Sequence, residues 1–207
     1  MKCLHIALLS AMPEEIGKTI DHLDKVKIYK YGDLKIYSGI WKNKNKNLLV
    51  YLSVAWSGWG KVSAARACTR IISQSFNDKK VDLIVFTGLA GAVSKSINQW
   101  DIVIADEVVQ HDLDASPLFE RFVIPALGKA KLKSAEKWTS LIFNELTKAK
   151  ENKKLNEFGL LKKGIIATGD VFISDKSKLR SLAKEIDSLD AVEMEGGSVA
   201  QVAEQEG

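Results

Sequence analysis

Residues Gly164 to Gln205 read GIIATGDVFISDKSKLRSLAKEIDSLDAVEMEGGSVAQVAEQ. GIIATGD is a short apolar run closed by a glycine and an acid, the pattern of a strand covered on both faces. DKSKLRSLAKEI (Asp175 to Ile186) reads as a helix. LDAVEMEG, from Leu189, reads as a second strand, and it feeds directly into GGSVAQVAEQ, a helix start. Strand and helix in alternation are the mark of parallel strands joined by crossover helices.

The same alternation extends towards the N-terminus. Leu4 to Leu9 is a nearly continuous apolar run interrupted by His5, and Pro13 falls where a helix begins, its missing N–H costing nothing there. Leu34 to Trp41 and Leu48 to Val54 flank a lysine-rich turn and read as a hairpin. KVSAARACTRIISQSF follows, with Val62, Ala65, Ile72 and Phe76 assigned to one helical face. VDLIVFTGLAG and DIVIADEVV are two more strands; a looser segment runs to about Lys133, and a helix from Ser134 to about Lys150. The expected fold is a three-layer α/β/α sandwich around a central mixed, largely parallel sheet, formed by residues 1–207 as one domain. In such folds ligands bind beyond the carboxyl ends of the strands.

Composition narrows the function classes. With 46% hydrophobic and 27% charged residues the chain is that of an ordinary globular protein, and no apolar run suits a membrane span. MKCLHIALLSAMPEEI is broken by His5 and followed by acids, which fits a first strand better than a signal peptide. Cys3 and Cys68 sit in apolar segments and read as buried thiols of a reducing, cytoplasmic compartment. The net charge is +4, and the lysines of Lys42 to Asn47 and Lys148 to Lys154 lack the interleaved aromatics of a nucleic-acid surface; they read as solvated turns. His111 and Asp112 have no second histidine at ligand spacing, so a structural role is expected for them rather than a metal site.

The unusual residues gather at strand ends. SAMPEE puts Glu14 and Glu15 in the first turn of a helix, where acids complement the helix dipole or serve chemistry. TGLAGA (Thr87 to Ala92) has two glycines that permit a tight turn or close approach to a ligand. Phe172 and Ile173 follow a strand and suit either the core or the stacking of a flat base. VEMEGG places Glu193 and Glu195 at an apolar strand end, where acids need partners; paired carboxylates suit sugar hydroxyls or a cationic transition state.

AMPEEI, SGWGKVSAARA, TGLAGA, QHDLDASP, TGDVFI and VEMEGGSVAQV stand in the order and spacing of the methylthioadenosine/S-adenosylhomocysteine nucleosidases, a family of the nucleoside phosphorylase superfamily that the chain resembles along its whole length. The resemblance implies hydrolysis of the N-glycosidic bond of a 5′-modified adenosine, a homodimer, and no metal or organic cofactor. It assigns Glu15 to the activation of water and Glu195 to the ribose hydroxyls, with Glu193 and Met194 beside it. It further assigns Phe172 to stacking on adenine, Ile173 to backbone hydrogen bonds with the base edge, Ala90 and Gly91 to a loop near base and ribose, and Trp59 to the alkylthio pocket. The small-molecule nucleoside is the expected partner, with neither nucleic acid nor membrane. QHDLDASPLFERFVIP, irregular and partly apolar, is expected to need cover from a second subunit.

Departing nucleobases leave more readily when protonated, which calls for a general acid. In the family this is an aspartate of an Arg-x-Ile-Ser-Asp type segment with no counterpart here, and the closing strand and helix around it are also expected to be missing. Weak turnover with retained binding is therefore expected of the 207 residues. Leu89 stands where some relatives have serine, Ala92 where glycine is usual, and Trp59 is bulkier than the common aliphatic residue. A phosphorylase would share the fold but needs groups that hold a phosphate dianion, which TGLAGA does not offer. A non-catalytic nucleoside-binding protein on the same scaffold is the remaining alternative.

Overall fold

The computed structural model describes residues 2–42 and 48–207. The lysine-rich turn assigned to Lys42 to Asn47 lies, apart from Lys42, outside the described residues. The chain divides into two compact units, Met1–Leu89 with Gln201–Gly207, and Ala90–Ala200.

In the first unit, β1 (Lys2–Ser10) leads through α1 (Pro13–Ile16) and a 3-10 turn (Thr19–His22) into β2 (Leu23–Tyr31), β3 (Leu34–Trp41) and β4 (Leu48–Trp56). Helix α2 (Lys61–Ile72) and β5 (Leu83–Phe86) follow. The sheet order is β2-β3-β4-β1-β5. β1 lies parallel to both β4 and β5, while β3 is antiparallel to β2 and β4, so the expected hairpin is present. β2 has no counterpart in the sequence reading. Its LDKVKIYKY pattern is dominated by lysines; it is the edge strand, and most of it, Val26 and Ile28 included, is exposed. Ile16, Leu23, Leu52 and Val54 form a core with Ile6, Leu8, Ile20 and Trp41 against it.

Helix α2 turns a different face inward from the one expected. Ala64, Ala67, Cys68 and Ile71 are buried, whereas Val62 is 81% exposed and Phe76 lies beyond the helix end. Small residues on the inner face let the helix sit close to β1 and β4, and close packing outweighs the larger side chains at the neighbouring positions. Burial pushes the Cys68 thiol up to about 12, with Glu206 adding to it, as expected of an inert buried cysteine.

His5 explains the polar break in β1. It is fully buried, its Nδ1 2.8 Å from the Lys79 carbonyl and its Nε2 2.8 Å from Ser53 Oγ. A carbonyl only accepts, so Nδ1 carries the proton and Nε2 accepts from Ser53. The Ser53 oxygen then accepts from Ser38 at 2.6 Å, which closes a polar chain across β1, β4 and β3.

In the second unit, β6 (Gly91–Ala92), β7 (Ile102–Gln110), β8 (Lys131–Lys133), α3 (Glu136–Glu151), β9 (Leu161–Thr168), α4 (Lys176–Glu185) and β10 (Leu189–Glu193) precede the first residues, up to Ala200, of α5 (Gly196–Glu206). The sheet order is β6-β10-β9-β7-β8. β9 is parallel to β7 and β10; the short β6 and β8 are antiparallel edges. The expected mixed pairing thus occurs in two five-stranded sheets, each holding a parallel trio, β4-β1-β5 running to the edge of the first and β10-β9-β7 at the centre of the second. Val109, Ala167, Leu182, Ile186, Leu189 and Val192 form one core cluster of this unit, with Ile173 packed against it. Asp175 caps α4, accepting from Ser177 N–H at 2.7 Å. Among the described residues no helix is long and apolar enough to cross a membrane.

Candidate active site

The expected site residues fall into two groups, one in each unit. In the first unit, β1 ends at Ser10 and the chain turns into the single-turn helix α1. The half-buried carboxylate of Glu15 folds back over that turn, where Oε2 accepts from Ala11 N–H at 2.9 Å and Met12 N–H at 3.0 Å. Its Oε1 accepts from Leu89 N–H at 2.9 Å, in the loop after β5. A carboxylate has about four acceptor positions, so these bonds hold Glu15 in one pose and leave room for one more donor. A helix as short as α1 supplies little dipole, and the bond to Leu89 is not part of helix capping at all. Glu14, by contrast, is exposed.

Gly88 makes the Leu89 contact possible. A Cβ there would stand 2.9 Å from Glu15 Oε1 and 3.2 Å from its Cδ. The close approach that the TGLAGA glycines suggested is therefore, at Gly88, an approach to a carboxylate of the same chain. Trp59, the other expected residue of this unit, is 65% exposed on a loop between Gly58 and Gly60, both of positive φ. That loop is tied to the end of β1, with Ser57 N–H donating to the Ser10 carbonyl at 2.8 Å and Gly58 N–H to that of Ala11 at 3.0 Å.

In the second unit the carboxyl ends of the parallel neighbours β9 and β10 carry the remaining residues. Phe172 and Ile173 separate in role. Ile173 packs on the core, and Phe172 is 79% exposed, so the apolar pair is half core and half presented ring. The loop that carries them is braced from the end of β7. His111 N–H donates to the Thr168 carbonyl at 2.9 Å, the buried His111 ring lies against Gly169, and Asp112 Oδ2 accepts from Asp170 N–H at 2.8 Å. The expected structural role of His111 and Asp112 is thereby specified. Among the described residues no three of His, Cys, Asp or Glu are grouped so as to hold a metal ion.

Glu193 ends β10 and turns its carboxylate onto the start of α5, where Oε2 accepts from Glu195 N–H at 2.8 Å and Gly196 N–H at 2.6 Å. An anion at the exposed N–H groups of a helix start is a favourable arrangement. Glu195 is only 6% exposed, and its carbonyl accepts from Ser198 and Val199 N–H at 3.0 and 3.2 Å, making it the first residue of the helix turn. Met194 between them is half-buried. Ala90 and Gly91 are exposed, and Gly91 opens β6, paired with Val192 immediately before Glu193. Thr168 is the residue that sequence reasoning passed over, and Gly88 was noted only as a turn glycine. Thr168 ends an apolar strand directly before a glycine, which was the available signal.

Comparison with known proteins identifies the family. The family model of the phosphorylase superfamily matches residues 5–207. A 5′-methylthioadenosine/S-adenosylhomocysteine nucleosidase of Bacillus licheniformis is 33% identical over 205 residues, 98% of this chain and 80% of that protein. The crystal structure of the corresponding nucleosidase of Neisseria meningitidis, in complex with methylthio-immucillin-A, superposes with a TM-score of 0.81 at 27% identity, covering 98% of this chain and 80% of that one. The futalosine hydrolase of Helicobacter pylori superposes with a TM-score of 0.77 at 31% identity, over 98% of this chain and 79% of that one. Its motifs, its α/β fold and these relatives place the chain in the phosphorylase superfamily, in the family of the methylthioadenosine/S-adenosylhomocysteine nucleosidases.

Proposed function

We propose that the protein hydrolyses the N-glycosidic bond of methylthioadenosine, S-adenosylhomocysteine or a related 5′-modified adenosine, releasing adenine. The observation that carries this reading is the placement, in the segments that follow the adjacent parallel strands β9 and β10, of an exposed aromatic ring at Phe172 and a buried carboxylate at Glu195. A flat base stacks on the ring, and the ribose hydroxyls hydrogen-bond to the carboxylate, whose charge stabilises the oxocarbenium-like transition state. Ile173 offers its backbone to the base edge, Met194 packs beside the ribose, Glu193 supports Glu195, Ala90 and Gly91 pass near base and ribose, and Trp59 lines the 5′ pocket.

Glu15 is the general base. As the water oxygen bonds to C1′, Glu15 takes the water proton, the C1′–N9 bond breaks, and adenine departs with the bond electrons and takes a proton at a ring nitrogen from solvent water. Its fixed pose is what such a base requires. The same pose disfavours phosphate as nucleophile: the Leu89 amide, which would otherwise help hold an anion, is already bonded to a carboxylate. The protein is read as a cytoplasmic homodimer, and the neighbours Leu118 and Phe119, 85% and 41% exposed in the irregular segment, support cover by a second subunit.

Adenine release from methylthioadenosine, S-adenosylhomocysteine and futalosine, followed by chromatography with and without phosphate, tests the reaction. Calorimetric titration with adenine and methylthioadenosine tests the site. Phosphate-independent adenine release is the expected result; a chain that binds neither ligand refutes the reading, and strict phosphate dependence replaces it with a phosphorylase.

A further inference from the structure

Thr168 is the last residue of β9 and is fully buried. Its hydroxyl donates to Glu193 Oε1 and accepts from Gly197 N–H at 2.6 Å. These two partners bracket Glu195, two residues before it and two after. The other Glu193 oxygen takes the N–H groups of Glu195 and Gly196, at 2.8 and 2.6 Å. The whole arc 193–197 therefore closes on one hydroxyl group of the neighbouring strand.

We infer that Thr168 is a positioning residue: it sets the pose of Glu195 through Glu193 and Gly197 without touching the substrate. The inference rests on the reading of Glu195 as the ribose ligand given under Proposed function. The first N–H groups of a helix have no partner within it, and in α5 Glu193 and Thr168 supply partners from outside. A β-branched side chain has a restricted χ1, so the Thr168 oxygen stands at a defined point. Gly197 reaches it only because it has no side chain; a Cβ there would lie 2.7 Å from Oγ1, 2.9 Å from the Thr168 Cβ and 3.2 Å from Gln110 Cγ. Since the Glu195 carbonyl begins the helix, any movement of this arc turns the Glu195 side chain as well.

Valine at 168 keeps the shape and removes both hydroxyl contacts, whereas serine keeps the hydroxyl. The full chain carrying Thr168→Val or Thr168→Ser is compared with the parent in two measurements. In amide hydrogen exchange, Thr168→Val is expected to speed exchange in segment 195–199 by about 10-fold or more while other segments stay unchanged, and Thr168→Ser restores protection. In titrations, Thr168→Val is expected to weaken methylthioadenosine binding by about 10-fold while adenine affinity stays within about 2-fold, since the base does not contact Glu195. The preference for methylthioadenosine over its 2′- and 3′-deoxy analogues then shrinks towards unity and returns with serine. A merely structural threonine would weaken adenine and nucleoside alike, and that result overturns the proposal. Unchanged exchange in segment 195–199 of Thr168→Val overturns the tie itself, whatever the ligand. A parent chain that binds methylthioadenosine and both deoxy analogues equally overturns the ribose reading of Glu195, and with it the catalytic sense of the tie.

Discussion

Glutamine at position 15 tests the candidate base, and the structure sets two separate magnitudes for it. Glu15 accepts from Ala11 and Met12 on one oxygen and from Leu89 on the other. A glutamine has a single acceptor oxygen. Placed to keep the Ala11 and Met12 bonds, it turns its NH2 towards the Leu89 N–H, donor against donor. Placed to keep Leu89, it opposes two donors. The better arrangement loses one hydrogen bond to a charged group, about 1.5–3 kcal/mol. At about 2–4 °C per kcal/mol for a chain of this size, Glu15→Gln lowers the melting temperature by about 3–12 °C. A residue serving only the helix dipole would cost at most about 1 kcal/mol. Turnover falls independently, because an amide does not accept the water proton; a loss of about 10²-fold or more is expected, with adenine affinity within a few-fold. Differential scanning fluorimetry and adenine release on the same preparation separate the two effects. A mutant with the parental melting temperature refutes the three-bond pose, and one with the parental rate removes Glu15 from the mechanism.

Gly164→Ala would drive a Cβ into the carboxylate of Asp190, 2.8 Å from its Cγ, and displace a side chain that is buried and paired with Lys162 at 2.8 Å. Disturbing that pair costs about 3 kcal/mol, the low end for a buried pair because Lys162 is partly solvated, and lowers the melting temperature by about 6–12 °C; a shift under about 2 °C refutes it. His5 supplies a pH dependence: burial holds its pKa below the ordinary 6.5, against a smaller opposing pull from the Lys79 carbonyl and from Asp82, with Lys79 reinforcing the decrease. Between the folded value and 6.5 the unfolded chain binds the extra proton, so this stability is complete above about pH 6.5 and is lost as pH falls through that window, at up to about 1.4 kcal/mol per pH unit. Urea melts across that range should show the slope in the parent and a flatter one in His5→Gln, and equal slopes refute the assignment.

The sequence by itself determined the element types and the strand-end location of the chemistry. Alternating apolar runs and helical patterns depend on local spacing, and a glycine or acid at the end of such a run marks where a strand stops. That is why β9, α4, β10 and α5 were legible in GIIATGD through VAQVAEQ, and why the carboxylates at 15, 193 and 195 were visible as candidates. What only tertiary structure decided is which partner each polar group takes. β2 stayed unread because Val26 and Ile28 are a short alternation among lysines, and both stay exposed. The inner face of α2 was misread because the distance between helix and sheet, not residue size, selects which side chains are covered. Phe172 and Ile173 look alike in sequence, and only the position of the core separates the exposed ring from the partly buried isoleucine. The sequence marks Gly88 as a turn glycine and Thr168 as a strand end but not the partner of either, because their roles are contacts with residues 73 and 25 positions away, the Glu15 carboxylate and that of Glu193. Hydrogen-bond partners brought together by folding leave no periodicity in the chain, so the pose of each carboxylate is a property of the tertiary structure alone.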